Sequence, residues 1–340
     1  MNIYDISKQA GVSIATVSRV LNGNPNVKPE TRKKVMDIID QYDYTPNAFA
    51  RGLGLDTMNT VGIIFADSSD LYLAKAVYYI EGNLRKNDYN CVLVCSGYEH
   101  EDKESALSLL INQRVDAVIM VGSNYVEADI ENNRYIMNAA MQTPIFLLNA
   151  DLDCSNVFCA MCDDFKATQE ATLALLDSGI HDVLYLYNSH SYSGIRKLSG
   201  YQSAYNIRGI DIDKNLVQFF KGSHEDIVGA CGFLSDLRKN GLTFHAVLAS
   251  EDALASGAVK YAKLHNISIP DELSVIGYNN SLLTVCSDPE ITSIDNRLET
   301  LCFQLVRTCI GVLNGEDMPP KIIYSGELIH KATTKLNKNK

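Results

Sequence analysis

The stretch that decides the fold at the front of the chain is IYDISKQAGVSIATVSRVLNGNPNVKPETRKKVMDIIDQY, residues 3–42. Ile3, Ile6 and Ala10 recur at helical spacing, and Gly11 follows where a helix would stop and the chain must turn. Ser13 then offers an N-cap. Val17, Val20 and Leu21 put the next apolar stripe on one face and leave Ile14, Ala15, Ser18, Arg19 and Asn22 facing out. Gly23 and Pro25 end that segment. Pro29 stands at a helix start, and Val35, Ile38, Ile39 and Tyr42 outline a third amphipathic helix. Three short helices with a glycine turn predict an all-α helix-turn-helix headpiece.

That placement implies a chemistry. In a helix-turn-helix the second helix enters the major groove of duplex DNA N-terminus first. Ser13 and Thr16 then reach phosphates, while Ile14, Ala15 and Arg19 meet base edges. Arg19 can donate two hydrogen bonds to guanine, whereas Ile14 and Ala15 discriminate only by apolar contact or by excluding bulk. Charge distribution agrees. The 340-residue chain carries a formal charge of -11, yet residues 1–34 hold six Lys/Arg against two acids, a local +4. A basic head on an acidic body engages duplex through the head alone.

The run IYDISKQAGVSIATVSRVLNGNPNVKPETRKKV, followed by Tyr44-Thr-Pro-Asn-Ala-Phe-Ala-Arg, resembles the headpiece of the LacI/GalR family of transcriptional regulators, and SIATVSRVLNGNPNVKP is most similar to the catabolite control proteins within it. The resemblance implies that Ser13 to Asn22 carry the reading helix and that Tyr44 and Asn47 approach the DNA backbone near the operator centre. It also implies that residues 47–60 form a hinge whose Leu53 wedges into the minor groove. Gly52 and Gly54 flank Leu53, and each costs a helix about 1 kcal/mol relative to alanine, so a hinge ordered only on DNA is expected. A plain flexible linker is the alternative. The division expected is 1–46 headpiece, 47–60 hinge and 61–335 core.

From Val61 onward the pattern changes. Strand-like runs occupy 61–66, 91–95, 115–121, 144–148, 157–161, 183–187, 245–249 and 273–277. Helical patterns include 73–86, 166–177, 252–265 and 297–313. Alternating β and α predicts an α/β core with two parallel sheets, covered on both faces and joined by right-handed crossovers. The region resembles, more weakly, the two-lobed periplasmic-binding-protein-like core of the same family. In such cores ligands bind beyond the carboxyl ends of strands. The candidates are therefore Asp67 to Tyr72 (Asp70 and Tyr72 in particular), Asn149, Arg196, Lys197, Glu251, Asp252 and Asn279. Family resemblance puts Asn149, Lys197, Glu251, Asn279 and Asn296 at ligand-contact positions. Lys197 stands where arginine is common, and Asn279 where aspartate is, which leaves a neutral polyhydroxyl effector as one expectation and an emptied, structural cleft as another.

A serine-phosphorylated phosphocarrier protein is the competing effector. Resemblance to the catabolite control proteins implies it: Arg307 falls where they direct an arginine at phosphoserine, although Gly311 stands where a basic residue is expected and Lys331 replaces a nearby arginine. No G-x-S-x-G, P-loop or H-E-x-x-H occurs, so no catalytic residues are assigned, and neither a cofactor nor a metal is expected. Cys159 and Cys162 form a lone C-x-x-C that reads as core packing. The chain starts without an export signal and no stretch reads as a membrane span, which sets aside a solute-binding receptor and points to the cytoplasm. One headpiece makes too few contacts for specific binding. A homodimer reading a near-palindromic operator is therefore expected.

Overall fold

A computed structural model describes residues 3–21, 24–42 and 57–335. Three helices form the headpiece: α1 (Ile3–Ala10), α2 (Ile14–Leu21) and α3 (Pro29–Gln41). Gly11, at φ 65°, supplies the left-handed turn after α1. The Ser13 hydroxyl then accepts the Thr16 amide at 3.2 Å, the N-cap its position implied. Ile6, Ala10, Val17, Val20, Val35 and Ile39 close a small common core. Each large apolar side chain buried there is worth about 1.5–3 kcal/mol.

The first lobe runs β1 (Thr60–Phe65), α4 (Leu71–Arg85), β2 (Asn90–Cys95), α5 (His100–Asn112), β3 (Ala117–Val121), α6 (Arg134–Ala140), β4 (Ile145–Leu148) and β5 (Val157–Cys162). The second begins with α7 (Asp164–Asp177), then β6 (Val183–Tyr187), α8 (Tyr192–Arg208), β7 (Val217–Phe219), α9 (Ile227–Lys239) and β8 (Ala246–Ala249). It continues with α10 (Asp252–Leu264), β9 (Ser274–Tyr278), α11 (Leu282–Cys286) and β10 (Thr292–Asp295). The chain then returns: α12 (Leu298–Leu313) and β11 (Lys321–Tyr324) join the first lobe, and β12 (Glu327–Ile329) joins the second.

The first sheet has the order β11-β5-β4-β3-β1-β2, parallel throughout. The second has the order β12-β10-β9-β8-β6-β7, parallel except that β12 runs against β10. Helices cover both faces, which is why β1, β3 and β4 are nearly continuous apolar runs. Leu301, Leu305 and Val306 of α12 pack on the first sheet, and Ala167, Ala171 and Leu175 of α7 pack on the second. The chain therefore crosses between lobes three times: after β5, after β10, and between β11 and β12. Gly200 lets α8 lie close on α7, for a β-carbon there would fall 2.2 Å from the Phe165 carbonyl oxygen.

All eight strand runs expected from the sequence are strands, with ends shifted by a residue or two. Four further strands, β7, β10, β11 and β12, were not expected, and the second sheet is accordingly not purely parallel. Cys159 and Cys162 both lie on β5. Their odd spacing sends Cys159 and Cys162 into different cores on opposite faces of the sheet, so they pack rather than pair. Burial pushes both thiols up to about 12.

Candidate functional site: an interlobe cleft and an exposed second helix

The carboxyl ends of both sheets face one cleft. From the first lobe it is lined by Asp70, Tyr72, Tyr98, Ser123 and Asn149. From the second come Asn188, Lys197, His224, Glu251 and Asn279. Asp70 caps α4, accepting the amides of Tyr72 at 2.8 Å and Leu73 at 3.1 Å. Burial raises its carboxyl pKa. Asn149 and Asn279 end β4 and β9 in left-handed conformations, φ 60° and 95°, which asparagine tolerates and which turn the chain sharply at the cleft wall.

The floor of the cleft is a network of amides around one phenol. Both Asn149 and Asn296 donate to the Tyr72 hydroxyl, Asn296 at 3.4 Å, and Asn296 also donates to Asn279 at 3.1 Å. Burial holds the Tyr72 phenol well above its ordinary pKa, so it stays neutral. Asn296 is 1% exposed and sits behind Tyr72 and Asn279 rather than on the wall. Because it follows β10, it fastens the second interlobe crossing to both lobes. The first crossing is fastened by Asp164, which accepts the Tyr278 hydroxyl at 2.5 Å. Lys197 lies against the same tyrosine, its ammonium 3.7 Å from the ring centroid, and donates to the Ser250 carbonyl at 3.1 Å.

Above the floor, polar pairs span or rim the cleft. Ser123 donates to Ser191 at 2.9 Å, joining the end of β3 to the cap of α8. Glu251 accepts from Asn188 at 2.5 Å and lies 3.1 Å from His224. Its hydrogen bond raises the His224 pKa against the opposing effect of burial, and the charges of Glu251, Asp70 and Asp67 add to the rise.

Of the cleft residues expected from the sequence, Asp70, Tyr72, Asn149, Lys197, Glu251 and Asn279 are brought together on its wall. Arg196 is not. It lines an adjoining groove instead, beside Tyr192 and Asp151, 3.4 Å from Asp163 and over the Phe165 ring. Successive helical residues point about 100° apart, so Arg196 and its neighbour Lys197 cannot share one wall. Asp252, at the start of α10, is buried, where it accepts from Ser281 and Ser293 at 2.6 Å each and its pKa rises to about 6. Tyr98, Ser123, Asn188 and His224 were missed.

In the headpiece, Val17 and Val20 of α2 are buried while Ser13, Ile14, Ala15 and Arg19 are exposed, with Thr16 and Ser18 partly so. Asn22, Tyr44, Asn47 and Leu53 lie outside the described residues. Among the described residues no group of His, Cys, Asp and Glu could hold a metal, and no helix is long and apolar enough to cross a membrane.

Comparison with known proteins bears on both regions. The family described as bacterial regulatory proteins, lacI family, matches residues 2–47. The family of periplasmic binding proteins and sugar binding domain of LacI matches residues 58–326. An HTH-type transcriptional regulator of Lachnoclostridium phytofermentans is 51% identical, over 98% of this chain and 99% of its own. Catabolite control protein A of Priestia megaterium is 28% identical over 95% and 96%. The solved lac repressor dimer bound to operator and an anti-inducer superposes with a TM-score of 0.85 at 20% identity, covering 98% of each chain.

Proposed function

The chain belongs to the LacI family of DNA-binding transcriptional regulators, and from that premise we propose that it is a cytoplasmic homodimer whose grip on a near-palindromic operator is set by a small polyhydroxyl effector in the interlobe cleft. The observation that carries this reading is the cleft itself. Asp70, Tyr72 and Asn149 of one lobe face Lys197, Glu251 and Asn279 of the other, over crossings fastened by Asn296 and Asp164. Acceptors and donors fixed on two bodies suit a ligand with many hydroxyls, and a ligand touching both lobes favours one interlobe angle over others. That angle sets the separation of the two headpieces, and so the operator affinity. In each headpiece Ser13, Thr16 and Ser18 meet the backbone, and Ile14, Ala15, Arg19 and Asn22 meet base edges. Tyr44 and Asn47 follow the backbone, and Leu53 enters the minor groove. The test has two steps: selection of DNA fragments by the pure protein, then titration of the selected duplex with neutral mono- and disaccharides. Operator affinity should shift with one of them, and Asn149→Ala or Glu251→Gln should abolish the shift; a shift untouched by both variants would move the effector site elsewhere.

A second reading rests on a different face. Tyr78 of α4 and Phe303 of α12 are 65% and 50% exposed, and Arg307 of α12 is exposed one turn further on. An apolar patch beside a guanidinium suits a protein partner presenting a phosphoserine, such as a serine-phosphorylated phosphocarrier. Lys331 does not extend this face, because it is turned onto Asn280 and Thr284. Operator affinity that rises on adding the phosphorylated carrier, and not the unmodified one, would favour this partner.

A further inference from the structure

Resting on the polyhydroxyl reading of the cleft, we infer that this cleft accepts its effector only in the uncharged, unphosphorylated form, and that Asp70 and Glu251 are the specificity-determining residues that exclude phosphate esters. Asp70 faces the chamber from the first lobe and Glu251 from the second. Whatever occupies the space between them lies close to two carboxylates in a partly desolvated site, where like-charge repulsion is strong.

The two bases on the wall, Lys197 and His224, are already engaged by the protein. Lys197, the one lysine on the wall, is 9% exposed and already engaged by the Ser250 carbonyl and the Tyr278 ring, with Asp164 hydrogen-bonded to that ring's hydroxyl. Arg196, whose fork would suit a phosphate, pairs with Asp163 and lines the adjoining groove rather than this chamber. Three helix N-termini reach the wall: α4 is capped by the Asp70 carboxylate and α8 by the Ser191 hydroxyl, while α10 has no side-chain cap but begins at Glu251, whose carboxylate stands beside its first amides. The amides that could hold a phosphate are thus partly occupied in α4 and α8, and in both α4 and α10 a resident carboxylate stands at the helix start. His224 lies 3.1 Å from Glu251, so its charge is taken up within the same cluster. Glu251, Asp70 and Asp67 all favour its protonated form, and three carboxylates facing one imidazolium leave the cluster net negative, which disfavours a dianion. The same carboxylates accept hydroxyl hydrogen bonds readily. The phosphate ester of a sugar that binds is therefore a non-binder.

Matched pairs test this. Purified full-length protein is measured by thermal shift and calorimetry, at constant ionic strength, against glucose and glucose 6-phosphate, galactose and galactose 1-phosphate, and sucrose and sucrose 6-phosphate. A neutral sugar that binds should exceed its own ester at least tenfold. An ester that equals or exceeds its parent overturns the proposal. Should every pair be silent, the polyhydroxyl reading is what suffers, and the charge claim is decided by inorganic phosphate observed by 31P NMR. Asp70→Asn/Glu251→Gln should then bind phosphate at least tenfold more tightly than the wild type, and no gain overturns the assignment. Asparagine caps a helix as well as aspartate, and Glu251→Gln alone serves if the double variant does not fold.

Discussion

Tyr98 of the first lobe and His224 of the second stack across the cleft, their ring centroids 6.0 Å apart and their planes within 21° of parallel. The contact joins the loop after β2 to the loop after β7. It does so in a ring of carboxylates, which raises the His224 pKa above its ordinary 6.5. A histidine whose pKa is raised on folding stabilises the folded state fully below its unfolded value, and that stabilisation is lost as pH rises through the raised value. Wild type should therefore exceed His224→Gln in melting temperature by more at pH 6 than at pH 8.5. A difference constant across that range, or an NMR titration placing the His224 midpoint below 6.5, would contradict the assignment.

Two glycines give opposite expectations for the same substitution. At Gly200 an added β-carbon meets the Phe165 carbonyl at 2.2 Å, and backbone cannot swing aside as a side chain can. Gly200→Ala should destabilise the second lobe by about 1–3 kcal/mol. At Gly232, in α9, nothing lies within 4 Å. Gly232→Ala should stabilise by about 0.5–1 kcal/mol through helix propensity. Chemical denaturation of the two variants side by side checks the sign at each.

Much of the fold was legible because its signals are periodic and local. Ile6, Val17 and Val35 define the headpiece core through spacing alone, and the apolar runs of β1, β3 and β9 are long and flanked by turns. What escaped is short or non-local. β11 pairs with β5, so Lys321 meets Cys159 across most of the second lobe's sequence, and β12 holds only three residues. The missed cleft residues follow from the same gap. Tyr98 and Asn188 come just after recognised strands, and the strand-end rule would have reached them had it been applied to every strand. His224 follows β7, a three-residue strand with no clear pattern, and its role depends on Glu251, which is distant in sequence. Arg196 failed for a local reason, since helix geometry lets only one of two adjacent residues face the wall.

For the hinge, the wedge assigned to Leu53 has a direct check. Leu53→Ala should weaken binding to the selected operator roughly tenfold, about 1.4 kcal/mol, because the unstacking wedge and its contacts are lost while α2 is untouched. An unchanged dissociation constant would make residues 47–60 a plain linker.

The most direct measurement is competition between the selected duplex and random duplex at moderate salt, for the wild type and for Arg19→Ala. Wild type should prefer the selected duplex by at least about a thousandfold. Removing the Arg19 fork should cut that preference by about 1–3 kcal/mol and relax selection at one base pair of each half-site. No preference in the wild type, or an Arg19→Ala protein with its preference intact, would contradict the account of α2 as the reading helix.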